Sequence, residues 1–252
     1  MPMRPVLFSV LLALAPPNAR AETALAAVAA NFAEAAETLA PLFRAATGHD
    51  VTLTTGSTGK LYAQIGAGAP FDVFLSADEK TPARLLEEGK AVAGTGFTYA
   101  FGHLTLWSAD PGRIGTQGPA ALEEPSLRFV AIANPDLAPY GVAAREALAS
   151  MGLWEALQPK IVMGQNIGQT HSMVASGAAE IGFVALSAVL SPRNAIEGSR
   201  WDVPQEMLTP IRQDAVLLTH GADNAAARAF LDFLRSPEVA AMIAGFGYGT
   251  DG

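Results

Sequence analysis

Residues 51–78 constrain the fold of this chain more than any other segment. Their pattern predicts a strand at 51–54, a turn of glycine and hydroxyl residues at 55–59, a helix at 60–66 and a second strand at 73–76. Helix and strand patterns continue to alternate along the rest of the chain, and the last two helices are predicted at 225–235 and 237–245. This alternation is typical of a mixed α/β architecture.

The turn between the first strand and helix of this segment is suited to binding an anion. A helix start presents free backbone N–H groups and the positive end of the helix dipole, and Ser57 and Thr58 add hydroxyl donors. A nucleotide-binding P-loop is excluded, because Leu61 stands where that motif has Ser or Thr and Thr54 where it has its first glycine. The turn therefore predicts a site for a small oxyanion.

The N-terminus predicts export from the cytoplasm. Arg4 precedes a short apolar run at 6–15, and Ala19-Arg20-Ala21 matches the small-x-small pattern of signal-peptide cleavage. We expect residues 1–21 to be a signal peptide cleaved after Ala21, and the mature protein to be periplasmic without inserting into the membrane. The chain contains no cysteine, so neither disulfides nor thiol metal sites are available to it.

The charge balance is acidic. The chain has 16 Lys and Arg residues against 24 Asp and Glu, and loss of Arg4 and Arg20 with the signal peptide raises the excess of acids to ten. Such a surface is a poor match for nucleic acid or an anionic membrane. It also repels anions at long range, so the predicted anion site has to act through local dipoles.

The order of the motifs along the chain resembles one protein family. Five motifs occur in this order: Val28-Ala29-Ala30-Asn31-Phe32; Gly56-Ser57-Thr58-Gly59-Lys60; Gly68-Ala69-Pro70-Phe71-Asp72-Val73-Phe74-Leu75-Ser76-Ala77-Asp78; Asn134-Pro135 with Pro139-Tyr140-Gly141; and Ile181-Gly182-Phe183-Val184. This order resembles the periplasmic molybdate-binding proteins of ABC importers, which are type II periplasmic binding proteins. The similarity covers essentially the whole mature chain.

The resemblance implies a two-lobe α/β fold with mixed sheets, flanking helices and the ligand in the cleft between the lobes. The implied first lobe comprises residues 22–98 plus 216–252, and the second lobe residues 99–215. The resemblance also implies high-affinity binding of molybdate, and of tungstate, by a monomer that delivers the anion to a membrane permease. It implies no enzymatic activity, no cofactor and no nucleic-acid partner.

The resemblance also implies which residues contact the oxyanion. Asn31 is implied to donate through its side chain and backbone N–H, Thr58 and the adjacent Ser57 through hydroxyl groups, and Ile167 through its backbone N–H. Tyr140 stands in a loop where some members of the family use a backbone N–H and others a tyrosine hydroxyl. The chain departs from the pattern at Ala185, where some members place a second tyrosine.

The same residue types also have ordinary structural roles. By residue type alone Asn31 is more often a helix cap than a ligand, and Ser57 and Thr58 are equally suited to capping. Lys60 is expected to be solvated or in a salt bridge rather than bound to the anion. Tyr140 can simply pack in its loop with the hydroxyl in water.

Two other functions stay open on the sequence. The same fold can bind another small anion, such as sulfate, phosphate or an organic acid; sulfate matches molybdate in charge and differs only in size, whereas protonated phosphate needs an acceptor. An exported phosphatase- or sulfatase-like hydrolase would use Ser57 or Thr58 as its nucleophile. That chemistry needs an activating base or a metal, and the sequence contains no Gly-x-Ser-x-Gly motif and no cluster of His and Asp.

Overall fold

Two mixed five-stranded sheets organise the protein. The computed structural model describes residues 21–116 and 118–249, so the predicted signal peptide lies outside the described residues except for Ala21. The strands are β1 (Thr23–Ala29), β2 (Asp50–Gly56), β3 (Val73–Leu75), β4 (Phe97–Gly102), β5 (Leu104–Ser108), β6 (Val130–Ala133), β7 (Ile161–Gly164), β8 (Ile181–Ala185), β9 (Ser199–Asp202) and β10 (Ile211–Leu217). The first sheet has the order β2-β1-β3-β10-β4 and the second β7-β6-β8-β5-β9.

Helices cover both sheets. They are α1 (Ala33–Thr47), α2 (Thr58–Gly66), α3 (Lys80–Glu87), α4 (Pro139–Ser150), α5 (Trp154–Leu157), α6 (Ile167–Ala175), α7 (Leu186–Leu190), α8 (Ala225–Leu234) and α9 (Pro237–Gly245). Helices α1, α2, α3, α8 and α9 pack on the first sheet, and α4, α6 and α7 on the second. The predicted α/β class with mixed sheets flanked by helices is confirmed. No helix in the described part of the chain is both long and apolar enough to cross a membrane.

Apolar strands at the centre of each sheet explain why these layers form. In β1, Ala24, Ala26 and Val28 are completely buried, and β6 is buried along its whole length. Strands covered on both faces by helices need such continuous apolar runs. On the first sheet the core continues into α1 and α8, where the rings of Phe43 and Phe230 meet edge to face at 5.2 Å.

The chain passes between the two sheets through β4 and β10. These strands pair antiparallel at one edge of the first sheet, with Gly102 opposite Ile211, and the register shifts between Gln213 and Asp214. The predicted lobe boundaries at 98/99 and 215/216 fall inside these two strands, and they remain a prediction. Below, "first lobe" and "second lobe" mean the elements packed on the first and the second sheet.

Some details of the sequence interpretation are wrong. Strands β4 and β9 were not predicted, because their mixture of polar and aromatic residues shows no clean alternation. The helical spacing of apolar residues predicts Leu42 in the core with Leu39 and Phe43, yet it is 40% exposed. One residue step on a helix turns about 100°, so Leu42 lies at the edge of the buried face that Phe43 shares with Leu39.

Candidate anion-binding site

Four helical N-termini meet at one small cavity between the lobes. In the first sheet β1 and β2 run parallel with Ala29 opposite Gly56, so the helical turns that follow them begin side by side. In the second sheet β6 and β7 run parallel with Ala133 opposite Gly164, and they lead to α4 and α6. The cavity is lined by Ala29, Ala30, Asn31, Gly56, Ser57, Thr58, Ala77, Ala138, Pro139, Tyr140, Asn166 and Ile167. All five residues predicted to contact the oxyanion are among them.

The cavity is small and carries no formal charge. The empty space inside it is about 200 Å³, part of which is open to solvent. Its lining, as far as the structure describes it, includes no Lys, Arg, His, Asp or Glu side chain. Lys60, one turn along α2, is exposed to solvent, as expected for a solvated lysine. Any attraction for an anion therefore comes from neutral N–H and O–H groups and helix dipoles.

Ser57 and Thr58 place two buried hydroxyl groups in the cavity wall. Ser57 is the N-cap of α2, and its Oγ accepts a hydrogen bond from the Lys60 N–H at 3.3 Å. Thr58 Oγ1 accepts one from the Ala77 N–H at 3.1 Å. Both hydroxyls accept from the backbone and donate to no protein group within residues 21–116 and 118–249, so each keeps its proton for a ligand.

Helices α4 and α6 contribute backbone donors from the second lobe. Pro139 opens α4, and Tyr140 follows as the second residue of the helix, where an N–H has no intrahelical acceptor. At the start of α6, Asn166 Oδ1 accepts from the Gln169 N–H at 2.9 Å and leaves the Ile167 N–H pointing out of the helix end. The pattern of apolar residues predicts that these helices start at 142 and 170, which in each case is three residues later than in the structure.

Asn31 does not cap a helix, contrary to the simplest interpretation of its residue type. It lies inside a short 3-10 turn at Ala30–Phe32, and the N-cap position of α1 is Phe32. The Asn31 Nδ2 group donates instead to Gln213 Oε1 at 2.8 Å and to the Tyr248 hydroxyl at 3.3 Å. Tyr248 in turn donates to the Asn31 carbonyl at 2.6 Å. The Asn31 Nδ2 group is therefore engaged within the protein, and the backbone N–H of Asn31 remains available to a ligand at the turn.

Tyr140 lines the cavity from the second lobe and is 1% exposed. Its hydroxyl oxygen accepts from Gln213 Nε2 at 3.4 Å and packs against Gly102 on β4. Burial raises the pKa of Tyr140 well above its usual value, although hydrogen bonds from Gln213 and Asn31 act in the opposite direction. The phenol therefore remains protonated at neutral pH and can act as a donor.

Gln213 was missed by the sequence interpretation. It is completely buried, and it contacts Asn31 and Tyr140 from the strand that joins the two lobes. A single glutamine in a strand pattern is usually an exposed residue. Nothing in the local sequence distinguishes Gln213 from such a residue, because its partners come from distant parts of the chain.

Direct contacts between the lobes border the cavity on two sides. The Gly59 N–H of α2 donates to the Leu137 carbonyl before α4 at 2.9 Å. On the other side a wider hollow, here called the vestibule, shares Ala30, Asn31 and Ile167 with the cavity and is also lined by Glu34, Glu37, Ala185, Ser187 and Arg193. There the Ser191 hydroxyl lies 2.7 and 2.6 Å from the two Glu34 carboxylate oxygens, and Arg193 Nη1 lies 2.6 Å from Glu37 Oε2.

Comparison with known proteins identifies the family. A sequence profile described as bacterial extracellular solute-binding protein matches residues 24–249. The chain belongs to this family. It is 49% identical over 243 residues to the molybdate-binding protein ModA of Rhodobacter capsulatus, covering 96% of this chain and 94% of that protein. It is also 49% identical over 231 residues to ModA of Azotobacter vinelandii, covering 92% and 91%.

A solved solute-binding protein confirms the fold. The periplasmic molybdate-binding protein of Azotobacter vinelandii superposes with a TM-score of 0.87 at 42% sequence identity, covering 91% of this chain and 100% of that one. The resemblance to periplasmic molybdate-binding proteins and the type II binding-protein fold are thereby confirmed.

Proposed function

We propose that this protein binds molybdate in the periplasm and delivers it to the permease of an ABC importer, and that it also accepts tungstate. The observation that carries this proposal is the composition of the cavity wall. It combines helical N-termini from both lobes with the Ser57 and Thr58 hydroxyls, and it offers no charged side chain. The relatives at 49% identity are molybdate-binding proteins, which supports the same ligand for this chain.

The donor set matches the chemistry of a tetrahedral dianion. Molybdate is fully deprotonated near neutral pH and presents only acceptors, so N–H and O–H donors can satisfy all its oxygens. A protonated phosphate would bring a hydrogen for which the wall must supply an acceptor. Sulfate has the same acceptor pattern but is smaller, and each donor that it leaves unpaired costs about 1–3 kcal/mol. Size is therefore the property by which this site selects its anion.

The role that these features support is binding rather than catalysis. A hydrolase with Ser57 or Thr58 as its nucleophile would need a base or a metal beside the hydroxyl. None of the cavity-lining residues is His, Asp or Glu. Elsewhere in the described chain, no group of three or more His, Cys, Asp or Glu residues could hold a metal ion.

Closure of the lobes on the anion is the mechanism we propose. Asn31, Ser57 and Thr58 belong to the first lobe, and Tyr140 and Ile167 to the second, so the full donor set exists only when the lobes meet. An anion that gains donors on closure binds the closed form more tightly and shifts the population toward it. The permease would then receive the closed, loaded monomer. Export would expose Glu22 as the new N-terminus.

Calorimetric titration of the mature, ligand-stripped protein tests the function. Molybdate and tungstate are expected to bind with one-to-one stoichiometry, whereas sulfate and phosphate at the same concentrations release no heat. Binding of sulfate in preference to molybdate would contradict the proposed ligand while leaving the family intact. N-terminal sequencing of the exported protein and light scattering test the cleavage site and the monomeric state.

A further inference from the structure

A buried amide on the interlobe strand links the two halves of the anion site. Gln213 is 0% exposed and lies on β10 directly before the register shift. An amide that is withdrawn from water needs hydrogen-bond partners on both its oxygen and its nitrogen. Its partners here are residues of the anion site and the tyrosine beside them.

The two ends of the Gln213 amide face different lobes. Its Oε1 accepts from Asn31 Nδ2 at 2.8 Å and lies 3.1 Å from the Tyr99 hydroxyl, and both of these residues belong to the first lobe. Its Nε2 donates to the Tyr140 hydroxyl of the second lobe at 3.4 Å. Gly102, on the other connecting strand, leaves the space in which Gln213 and Tyr140 meet.

This orientation restricts the Tyr140 hydroxyl. Because Gln213 Nε2 donates to the phenol oxygen, the Tyr140 proton cannot be donated back to Gln213. The hydroxyl lies between Gln213, Gly102 and the Asn31 side chain, whose Oδ1 is a buried acceptor with no partner in the described residues. The Asn31 amide is fixed in the same way, since its N–H groups are directed to Gln213 and Tyr248.

We propose that Gln213 is a positioning residue for anion binding, which holds the Asn31 side chain of the first lobe and the Tyr140 side chain of the second lobe in fixed positions at the cavity. This inference rests on the proposed function and adds to it a residue that does not touch the ligand.

A double-mutant cycle measured by molybdate calorimetry tests the inference. Gln213→Met keeps the length of the side chain and removes both hydrogen-bonding ends, and Tyr140→Phe removes only the hydroxyl. Each single change is expected to weaken molybdate binding by roughly 5- to 150-fold, because each leaves a buried hydrogen-bonding partner unsatisfied beside the site. In the Tyr140→Phe background the further effect of Gln213→Met is expected to be several-fold smaller. Gln158→Met, at an exposed glutamine, is the matched control.

A second variant separates positioning from a purely structural role. Gln213→Glu is nearly isosteric, but once ionised it accepts the Tyr140 proton and adds a negative charge beside the dianion. Its affinity for molybdate is therefore expected to fall as pH rises from 6 to 9, while that of the wild type stays level. Burial raises the pKa of Tyr99, Tyr140 and Tyr248, so these neighbours stay neutral in this range. Asp78 and Asp214, which act on Tyr99 by their charge, are common to both proteins.

The outcomes distinguish this inference from the proposed function. If the wild type binds molybdate but the two losses add fully, or Gln213→Met binds like the wild type, Gln213 has no positioning role. A Gln213→Glu protein whose affinity is level from pH 6 to 9 would also overturn it. If the wild type itself does not bind molybdate, the proposed function fails, and this inference fails with it.

Discussion

Arg193 of the second lobe forms an ion pair with Glu37 on α1 of the first lobe, with 2.6 Å between Nη1 and Oε2. Beside it the Ser191 hydroxyl bonds to Glu34, in the first turn of the same helix. Both contacts cross the vestibule, and both require the lobes to be closed. They therefore stabilise the contact between the lobes through residues that do not line the anion cavity.

The Arg193 contact predicts a change in dissociation rate. Arg193→Ala is expected to speed release of molybdate about two- to five-fold, because the side chains are 61% and 50% exposed and such pairs contribute at most about 1 kcal/mol. The effect should shrink at high salt. Release is measured by loading the protein with radioactive molybdate and chasing with unlabelled anion. Arg200→Ala is the control, since Arg200 pairs with Asp202 on its own strand. Equal rates in both variants would show that the pair does not hold the lobes together.

Removal of the Thr58 hydroxyl is predicted to weaken binding. Thr58→Val keeps the shape of the side chain but deletes the hydroxyl that we propose donates to the anion and that accepts from the Ala77 N–H. We expect a loss of about 1–3 kcal/mol in molybdate binding by calorimetry. Thr58→Ser should restore most of it, and Thr55→Val, at an exposed position on β2, should leave it unchanged. Full affinity in Thr58→Val would remove Thr58 from the binding set.

Gly102 is predicted to tolerate no side chain. A methyl group at this position would overlap the Tyr140 hydroxyl and lie 2.7 Å from Gln213 Nε2. Gly102→Ala should therefore lower the melting temperature, with an overpacking cost of about 1–3 kcal/mol, and weaken molybdate binding at the same time. Gly115→Ala is the control, because a Cβ there meets no atom within 4 Å. Wild-type affinity in Gly102→Ala would mean that the Tyr140 hydroxyl is free to move.

Stability is predicted to fall in alkaline solution. Burial raises the pKa of Tyr248 to about 12, whereas an unfolded tyrosine ionises near pH 10. A raised folded-state pKa contributes stability that is complete below about pH 10 and is lost as pH rises toward 12. For Tyr248 the loss is about 3 kcal/mol. Urea unfolding between pH 8 and 12 measures it, and Tyr248→Phe should reduce the alkaline slope, while Tyr99 and Tyr140, whose pKa burial also raises, account for what remains. A variant with the same alkaline slope as the wild type would assign the loss to other groups.

The fold and the position of the site could be predicted because both depend on local patterns. The turn at Ser57 and Thr58 combines a strand end, a helix start and two hydroxyls within a few residues, and the structure has all of these. Parallel strands bring their carboxyl ends together, so turns far apart in sequence lie side by side. These rules place Asn31 next to Ser57 without knowledge of any contact.

The directions of the hydrogen bonds could not be predicted in this way. Asn31 is turned toward Gln213 and Tyr248, residues that lie about 180 and 220 positions further along the chain. Amide side chains offer a donor and an acceptor at almost the same place, so only their partners fix which end faces the cavity. That information is in the three-dimensional arrangement of the interlobe strand.

The paired strand ends have a consequence for how the protein can tell one anion from another. Ala29 is held opposite Gly56 and Ala133 opposite Gly164 by the sheets themselves, so the donors within each lobe are spaced by backbone geometry rather than by rotamers. The adjustable distance is then the gap between the lobes. Under the proposed closure, the radius of a bound ion would set the closing angle, and a permease that responds to this angle would distinguish ions by size without contacting them.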